Sequence, residues 1–315
     1  MKMVILTKLE KGDFYKILKN FNIGEYKSHK YMNWILENQV YILRTNKGKY
    51  ILKLMSNVNL KTMKQQLELI DFLYKKGIPV VKNIANNDGK EIIRYKRKNI
   101  VIQKFVEGSH PERLSDKLIK DIAKNIGKMH KILLKSKIKG IDKKNHTYKR
   151  KDLSGSIKEP IVKELQNELF KNLGRINQQK LRKTRIHGDI SEVNLLVKNN
   201  KLKAIVDWDD SDYNSIVYEI AIFLAHSFVR SETIYRDKIR LFLRVYQKYV
   251  KLNDEEKKAL YFLIKYRLIG VLYWYLKYIK IYPDKANELK KGIARSVARL
   301  ENFDRLSLSQ FMKFF

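Results

Sequence analysis

One stretch of the chain concentrates side chains suited to handling phosphate. His187-Gly188-Asp189 is followed at a fixed distance by Asn194, and, after two short apolar runs, by Asp207-Trp208-Asp209-Asp210. Phosphoryl transfer asks for little covalent chemistry from a protein: an aligned hydroxyl, magnesium on the phosphates, and cations around the developing charge. An Asp on a loop can hold and deprotonate the hydroxyl. An Asn five residues later and an Asp at the end of the next strand can ligate one magnesium from two sides. Asp189, Asn194 and Asp207 stand in those positions. Singly, a Gly-Asp pair is usually a turn, and an Asp after an apolar run usually ends a strand. The order and spacing together, with Leu195-Leu196 and Ile205-Val206 in strand-like positions, favour the chemical reading.

These residues resemble the aminoglycoside phosphotransferase and choline kinase superfamily, in which H-G-D-x-x-x-x-N replaces the H-R-D-x-x-x-x-N loop of protein kinases. The resemblance implies an α+β, bilobal protein-kinase-like fold: a small antiparallel β-sheet lobe with one helix, and a larger, mainly helical lobe. It implies ATP and Mg2+ as cofactors and a hydroxyl of a small molecule as the acceptor. By the same resemblance Asp189 is the catalytic base, His187 braces its loop, and Asn194 and Asp207 are magnesium ligands. Glu219, in Tyr218-Glu219-Ile220-Ala221, falls where the family usually has Asp. Within the superfamily, Gly77-Ile-Pro-Val-Val, Phe105-Val-Glu-Gly and Ile126-Gly-Lys-Met-His130 look closest to the homoserine kinase type II group.

Such an enzyme needs a lysine on the third strand for the α- and β-phosphates. Lys53 lies in the apolar run Tyr50-Ile-Leu-Lys-Leu-Met, sharing a strand face with Ile51 and Met55. Alone, a lysine there reads as a guard against edge pairing; beside the later motif it reads as a phosphate ligand. Gln66 takes the inner-helix position where relatives carry Glu, so a Lys53–Gln66 hydrogen bond is expected in place of an ion pair, or no contact at all. Asp209 is expected in a solvated loop. Tyr31–Asn38 holds no glycine, which leaves backbone amides and Asn33 or Asn38 to serve the phosphates. The backbone near Gln103 and Phe105 is the expected adenine edge, with Ile51 and Ile205 on the two faces of the ring.

The elements that must position these residues follow from period and punctuation. A short helix over Asp13–Asn20 precedes strands at Glu25–Met32, Gln39–Arg44 and Lys49–Met55. A helix follows over Leu60–Lys76, stopped by Gly77, and then strands over Glu91–Tyr95 and Asn99–Phe105. From Ser115 the pattern is helical, interrupted by a basic loop over Lys135–Ser156 and a β-island over Ile186–Trp208 with its turn at Asn199-Asn200. Helices, broken near Asn253 and Pro283, complete the chain. The expected domains are a nucleotide-binding lobe, 1–106, and a catalytic and substrate-binding lobe, 107–315. His130 is expected to be a structural hydrogen-bonding residue.

Composition adds exclusions. The 315 residues include no cysteine, which removes disulfides, thiolate metal sites and thiol nucleophiles. The apolar stretches Ser215–Val229 and Leu268–Leu276 are too short to span a bilayer, and no signal peptide is recognisable, so a cytoplasmic protein without a transmembrane segment is expected. Sixty-seven basic residues against 33 acidic ones give a formal net charge of +34. A field of that sign attracts polyanions, so non-specific nucleic-acid binding is expected, and an inactive kinase-like protein binding RNA is the competing reading. The even spread of lysine favours composition over a dedicated stripe. Acceptor contacts should come from the helices after Asp207: Tyr213, His226 and Arg230 first, then Tyr266, Arg267, Tyr273, Trp274 and Tyr275, whose aromatic rings suit a quaternary-ammonium cage but at this density read first as core. Polycationic acceptors fit the basic second half poorly.

Overall fold

A computed structural model describes residues 9–32, 38–55, 60–138 and 160–315. Asn33 and most of the expected basic loop, residues 139–159, lie outside them. The chain divides into two compact units, residues 1–108 with 203–209, and residues 109–202 with 210–315. The sequence boundary at 106/107 puts residues 203–209 with the second lobe. They group instead with the first because the Ile205 N–H bonds the Pro79 carbonyl at 2.7 Å and Val80 bridges Ile205 in parallel.

In the first unit, α1 (Lys11–Leu18) is followed by β1 (Tyr26–Tyr31), β2 (Gln39–Thr45), β3 (Gly48–Met55), α2 (Leu60–Lys75), β4 (Ile93–Tyr95) and β5 (Lys98–Lys104). The strands form one antiparallel sheet in the order β1-β2-β3-β5-β4. Strand alternation sends Tyr50, Leu52 and Leu54 into a core with Phe14, Ile17, Tyr41, Leu43, Ile100 and Ile102. Ile51 and Lys53 therefore face the other way, as their spacing requires.

The β4–β5 hairpin turns on Lys96 and Arg97, both at positive φ (46° and 62°), where Asn-Gly is the usual pair. Buried Asp13 of α1 compensates: its carboxylate meets Lys96 Nζ at 2.8 Å, accepts from Tyr95 Oη at 2.8 Å, and accepts from the Glu10 N–H at 2.9 Å.

The second unit contains α3 (Asp116–Leu134), α4 (Pro160–Leu173), β6 (Lys183–Ile186), β7 (Leu195–Lys198), β8 (Lys201–Ile205), β9 (Asp212–Ser215), α5 (Ile216–Phe228), α6 (Arg236–Tyr246), α7 (Asp254–Ile281), α8 (Ala286–Asp304) and α9 (Leu308–Met312). The chain passes into the first unit within β8. β7 and β8 pair around Asn199-Asn200, each at a φ of 55°, which Asn tolerates. β6 and β9 pair antiparallel; the sequence reading lacks both. Nearly every side chain of α5 is buried, and α7 packs against α5 and α8. His130 is buried, with Nδ1 2.8 Å from the Tyr246 hydroxyl. That is the structural role expected of it.

At 28 residues, α7 is long and apolar enough to cross a membrane by length and composition, contrary to the expectation of no such segment. Its best window is 56% buried within the protein, which accounts for the apolar length as core.

Burial pushes the Asp13 carboxyl up, but Lys96, the Glu10 amide and Tyr95 outweigh it, and the pKa falls from 3.8 to about 2. A depressed carboxylate stabilises the fold fully above its unfolded value and loses that contribution as pH falls through the folded value. Asp13→Asn should cost about 1–3 kcal/mol near pH 6. Denaturant titrations should show the gap to the unaltered protein closing from pH 4 towards pH 2.

Candidate active site

β3 carries Lys53 into a polar cluster of the first unit. Its Nζ lies 2.7 Å from Asp207 Oδ1 and 4.0 Å from Asp209 Oδ2, with the side chain 12% exposed. Burial pulls the ammonium pKa down, yet Asp209 and then Asp207 reverse this, and it ends raised. Lys53 is thus a firmly charged cation. Asp207 follows β8 at a φ of 64°, a conformation that short Asp tolerates better than most side chains.

Gln66 does not bond Lys53. It is buried on α2, and its Nε2 donates to the Asp209 carbonyl at 2.9 Å. Asn38 Nδ2 donates to Asp209 Oδ2 at 2.6 Å. Asp209 is therefore a clamped residue rather than the solvated one expected, because two amides hold its backbone and its side chain. At the expected adenine edge, Gln103 bridges Asn83, and the Phe105 N–H bonds the Lys49 carbonyl at 3.3 Å. Lys49 Nζ stands 5.4 Å from the centre of the Phe105 ring. Ile51 is half-buried between Ile42 and Gln103, whereas Ile205 is fully buried.

In the second unit, β6 delivers the chain to His187-Gly188-Asp189. Gly188 has a φ of +85°, and a Cβ there would fall 2.3 Å from the Asp210 carbonyl oxygen. No other residue fits without moving backbone. Glu219, in the first turn of α5 and fully buried, grips the loop. Its Oε1 accepts the His187 N–H at 2.7 Å and its Oε2 the Gly188 N–H at 2.9 Å. His187 Nδ1 accepts the Asp189 N–H at 3.2 Å, so His187 braces the loop from within. Asn194 Nδ2 donates to Asp189 Oδ2 at 2.9 Å and to the Asp189 carbonyl at 2.8 Å.

The remaining oxygen of Asp189, Oδ1, is taken by Arg267 Nη2 of α7. Arg267 Nε donates to His226 Nε2 at 3.0 Å. Sequence reasoning offers Arg267 and His226 as acceptor contacts only. Their link to Asp189 spans 78 residues, and no local pattern reports it.

Magnesium takes oxygen ligands and keeps several waters, so one or two protein carboxylates suffice where phosphates supply the rest. Asp207 and Asp209 in the first unit, and Asn194 in the second, each carry oxygen donors of that kind. Among the described residues no group of three or more His, Asp or Glu is arranged for a metal.

Residues 34–252 match the model of a phosphotransferase enzyme family. The homoserine kinase of Bradyrhizobium sp. (strain ORS 278) is 24% identical over 266 residues, covering 82% of each chain. A microcompartment-associated aminopropanol kinase superposes with a TM-score of 0.74 at 15% identity, over 97% of this chain and 100% of that one. An amicoumacin kinase, solved with AMP-PNP and Ca2+, gives 0.73 at 17% identity over 95% of each. These neighbours share a protein-kinase-like fold with the chain.

Burial pushes the Glu219 carboxyl from 4.5 to about 7, against the pull of the Gly188 and His187 amides. With the folded value raised, its stabilising contribution is full below 4.5 and is lost as pH rises through about 7. Between pH 5 and 8 the unaltered protein should lose stability relative to Glu219→Gln, by about 1.4 kcal/mol per pH unit at most. A pH-independent difference in denaturant midpoints would show that Glu219 does not titrate in this range. The Gln carboxamide offers one oxygen for two amides, so the loop should loosen at every pH.

Proposed function

This chain belongs to the phosphotransferase enzyme family, and on that premise we propose that it moves the γ-phosphate of ATP, with magnesium, to a hydroxyl of a small molecule. Asp189 holds the acceptor hydroxyl and takes its proton as the new O–P bond forms and the bond to the β-phosphate oxygen breaks, releasing ADP. Asn194, through Oδ1, and Asp207 would hold the magnesium, which would offset charge on the phosphates. Lys53 serves the α- and β-phosphates. His187 and Glu219 keep Asp189 in place. Gln66 acts at one remove, by fixing the backbone at Asp209. The strand around Gln103 and Phe105, with Ile51 and Ile205, holds the adenine.

The observation that carries this reading is the Lys53–Asp207 pair. Residues 154 positions apart meet at 2.7 Å, bringing the cation that phosphates require to the carboxylate that magnesium requires. The acceptor belongs with small amino alcohols such as homoserine, choline-like compounds or sugars, in keeping with the names of the relatives. A cytoplasmic location goes with this use of ATP.

Coupled ADP release with MgATP should be tested against homoserine, choline, ethanolamine, methylthioribose and kanamycin. At least one acceptor should turn over. Asp189→Ala should lower kcat by about 10²–10⁴-fold while the circular dichroism spectrum is retained. If MgATP produces no thermal shift, and the chain instead binds nucleic acid with steep salt dependence, it is a polyanion-binding protein rather than a kinase.

A further inference from the structure

We propose that Arg267, with Arg230 and Arg299, forms an anion subsite beside Asp189, and that the acceptor carries a carboxylate as well as a hydroxyl. The inference rests on the phosphotransfer reading and narrows its acceptor.

Three guanidinium groups act on one imidazole, that of His226. Arg267 donates to its Nε2 at 3.0 Å, so His226 is neutral there. Burial first, and then Arg267, Arg299 and Arg230, hold its pKa well below the ordinary range. Arg299 donates from Nε to the Val229 carbonyl at 2.7 Å and from Nη2 to the Ala225 carbonyl. Its bonded partners are neutral carbonyls, and burial followed by Arg230 lowers its pKa to about 10. Arg230 Nη2 meets Glu192 Oε1 at 2.9 Å. Asp189 forms an ion pair with Arg267, and Glu192 forms one with Arg230. Asp210 also acts on Arg267, and the Tyr218 side chain hydrogen-bonds it.

Asp189 Oδ1 is committed to Arg267 in this state. An acceptor hydroxyl that docks on Asp189 competes with Arg267 for that oxygen and weakens the closest anionic contact of a largely buried guanidinium, which keeps the Tyr218 hydroxyl and the field of Asp210. An acceptor with its own carboxylate brings Arg267 a further anionic partner in the same binding event, and a guanidinium suits a carboxylate geometrically. An amino alcohol without the carboxylate brings only another cation towards three guanidinium groups, so the subsite discriminates by repulsion as well as attraction.

L-Homoserine and 3-aminopropan-1-ol differ only in the carboxylate, and initial rates with MgATP on the full chain test the point. The unaltered protein should favour homoserine in kcat/KM by about 10–150-fold, the worth of a hydrogen bond to a charged group. In Arg267→Gln the ratio should collapse to within about threefold, whatever the absolute rates. Arg267→Lys should retain part of the ratio, and Arg299→Gln should lower it. A guanidinium that merely orients Asp189 would reduce both acceptors equally, and an unchanged ratio overturns the subsite. So does equal or better turnover of 3-aminopropan-1-ol by the unaltered protein, which leaves phosphotransfer standing. ADP release with neither alcohol, nor with any other acceptor of the panel, overturns the phosphotransfer reading and this inference with it.

Discussion

A carboxylate removed from water must have both oxygens bonded, and Glu219 meets that demand by closing on two successive backbone amides. The shape of the His187–Asp189 loop depends on this grip. With His187 and Gly188 fixed by their N–H groups, the chain is forced through the left-handed turn at Gly188. The next residue, Asp189, is then presented with its N–H on His187 and its carboxylate between Asn194 and Arg267. The burial that raises the Glu219 pKa is also what makes its hydrogen bonds worth keeping, since a lost partner there cannot be replaced by water.

The polar cluster of the first unit follows a similar logic with the charges reversed. Lys53 is largely withdrawn from solvent and is held charged by two aspartates, one of which is itself fixed by Asn38 and Gln66. Placing a neutral amide at position 66 moves the restraint from the lysine to the backbone that carries the aspartates. Lys53 keeps its anionic partners without a glutamate on α2.

Net charge and local charge give different information about this molecule. The surplus of lysine runs along the chain and reports composition. The three arginines around His226 have specific partners: Arg267 meets Asp189, Arg230 meets Glu192, and Arg299 meets two backbone carbonyls. Mutual repulsion among cations at low dielectric costs free energy, and such an arrangement persists only where an anion or a dense set of carbonyls offsets it. Val229 and Ala225 provide carbonyls, and Asp189 and Glu192 provide charge.

By itself the sequence determined the local elements and the chemical inventory. Alternation placed Lys53 opposite Leu52 and Leu54, the 3.6-residue period outlined α2 and α3, and the spacing of His187, Asp189, Asn194 and Asp207 carried the resemblance to a family that the match over residues 34–252 bears out. These are properties of neighbours in the chain, which backbone period and turn chemistry control. Partnerships between distant residues were decided only by the tertiary structure. β6 and β9 are four residues each, too short and too polar to register as strands until they pair with one another. Gln66 was legible as an inward-facing residue, but its partner is a backbone carbonyl, and carbonyls have no sequence signature. Glu219 read as a mild departure in a motif, yet its extra methylene spans two amides. Arg267 sits on a 28-residue helix with apolar residues all round it, so period alone cannot single out one face. Its pairing with Asp189 is set by how α7 packs on α5, and packing of that kind is a property of the folded whole.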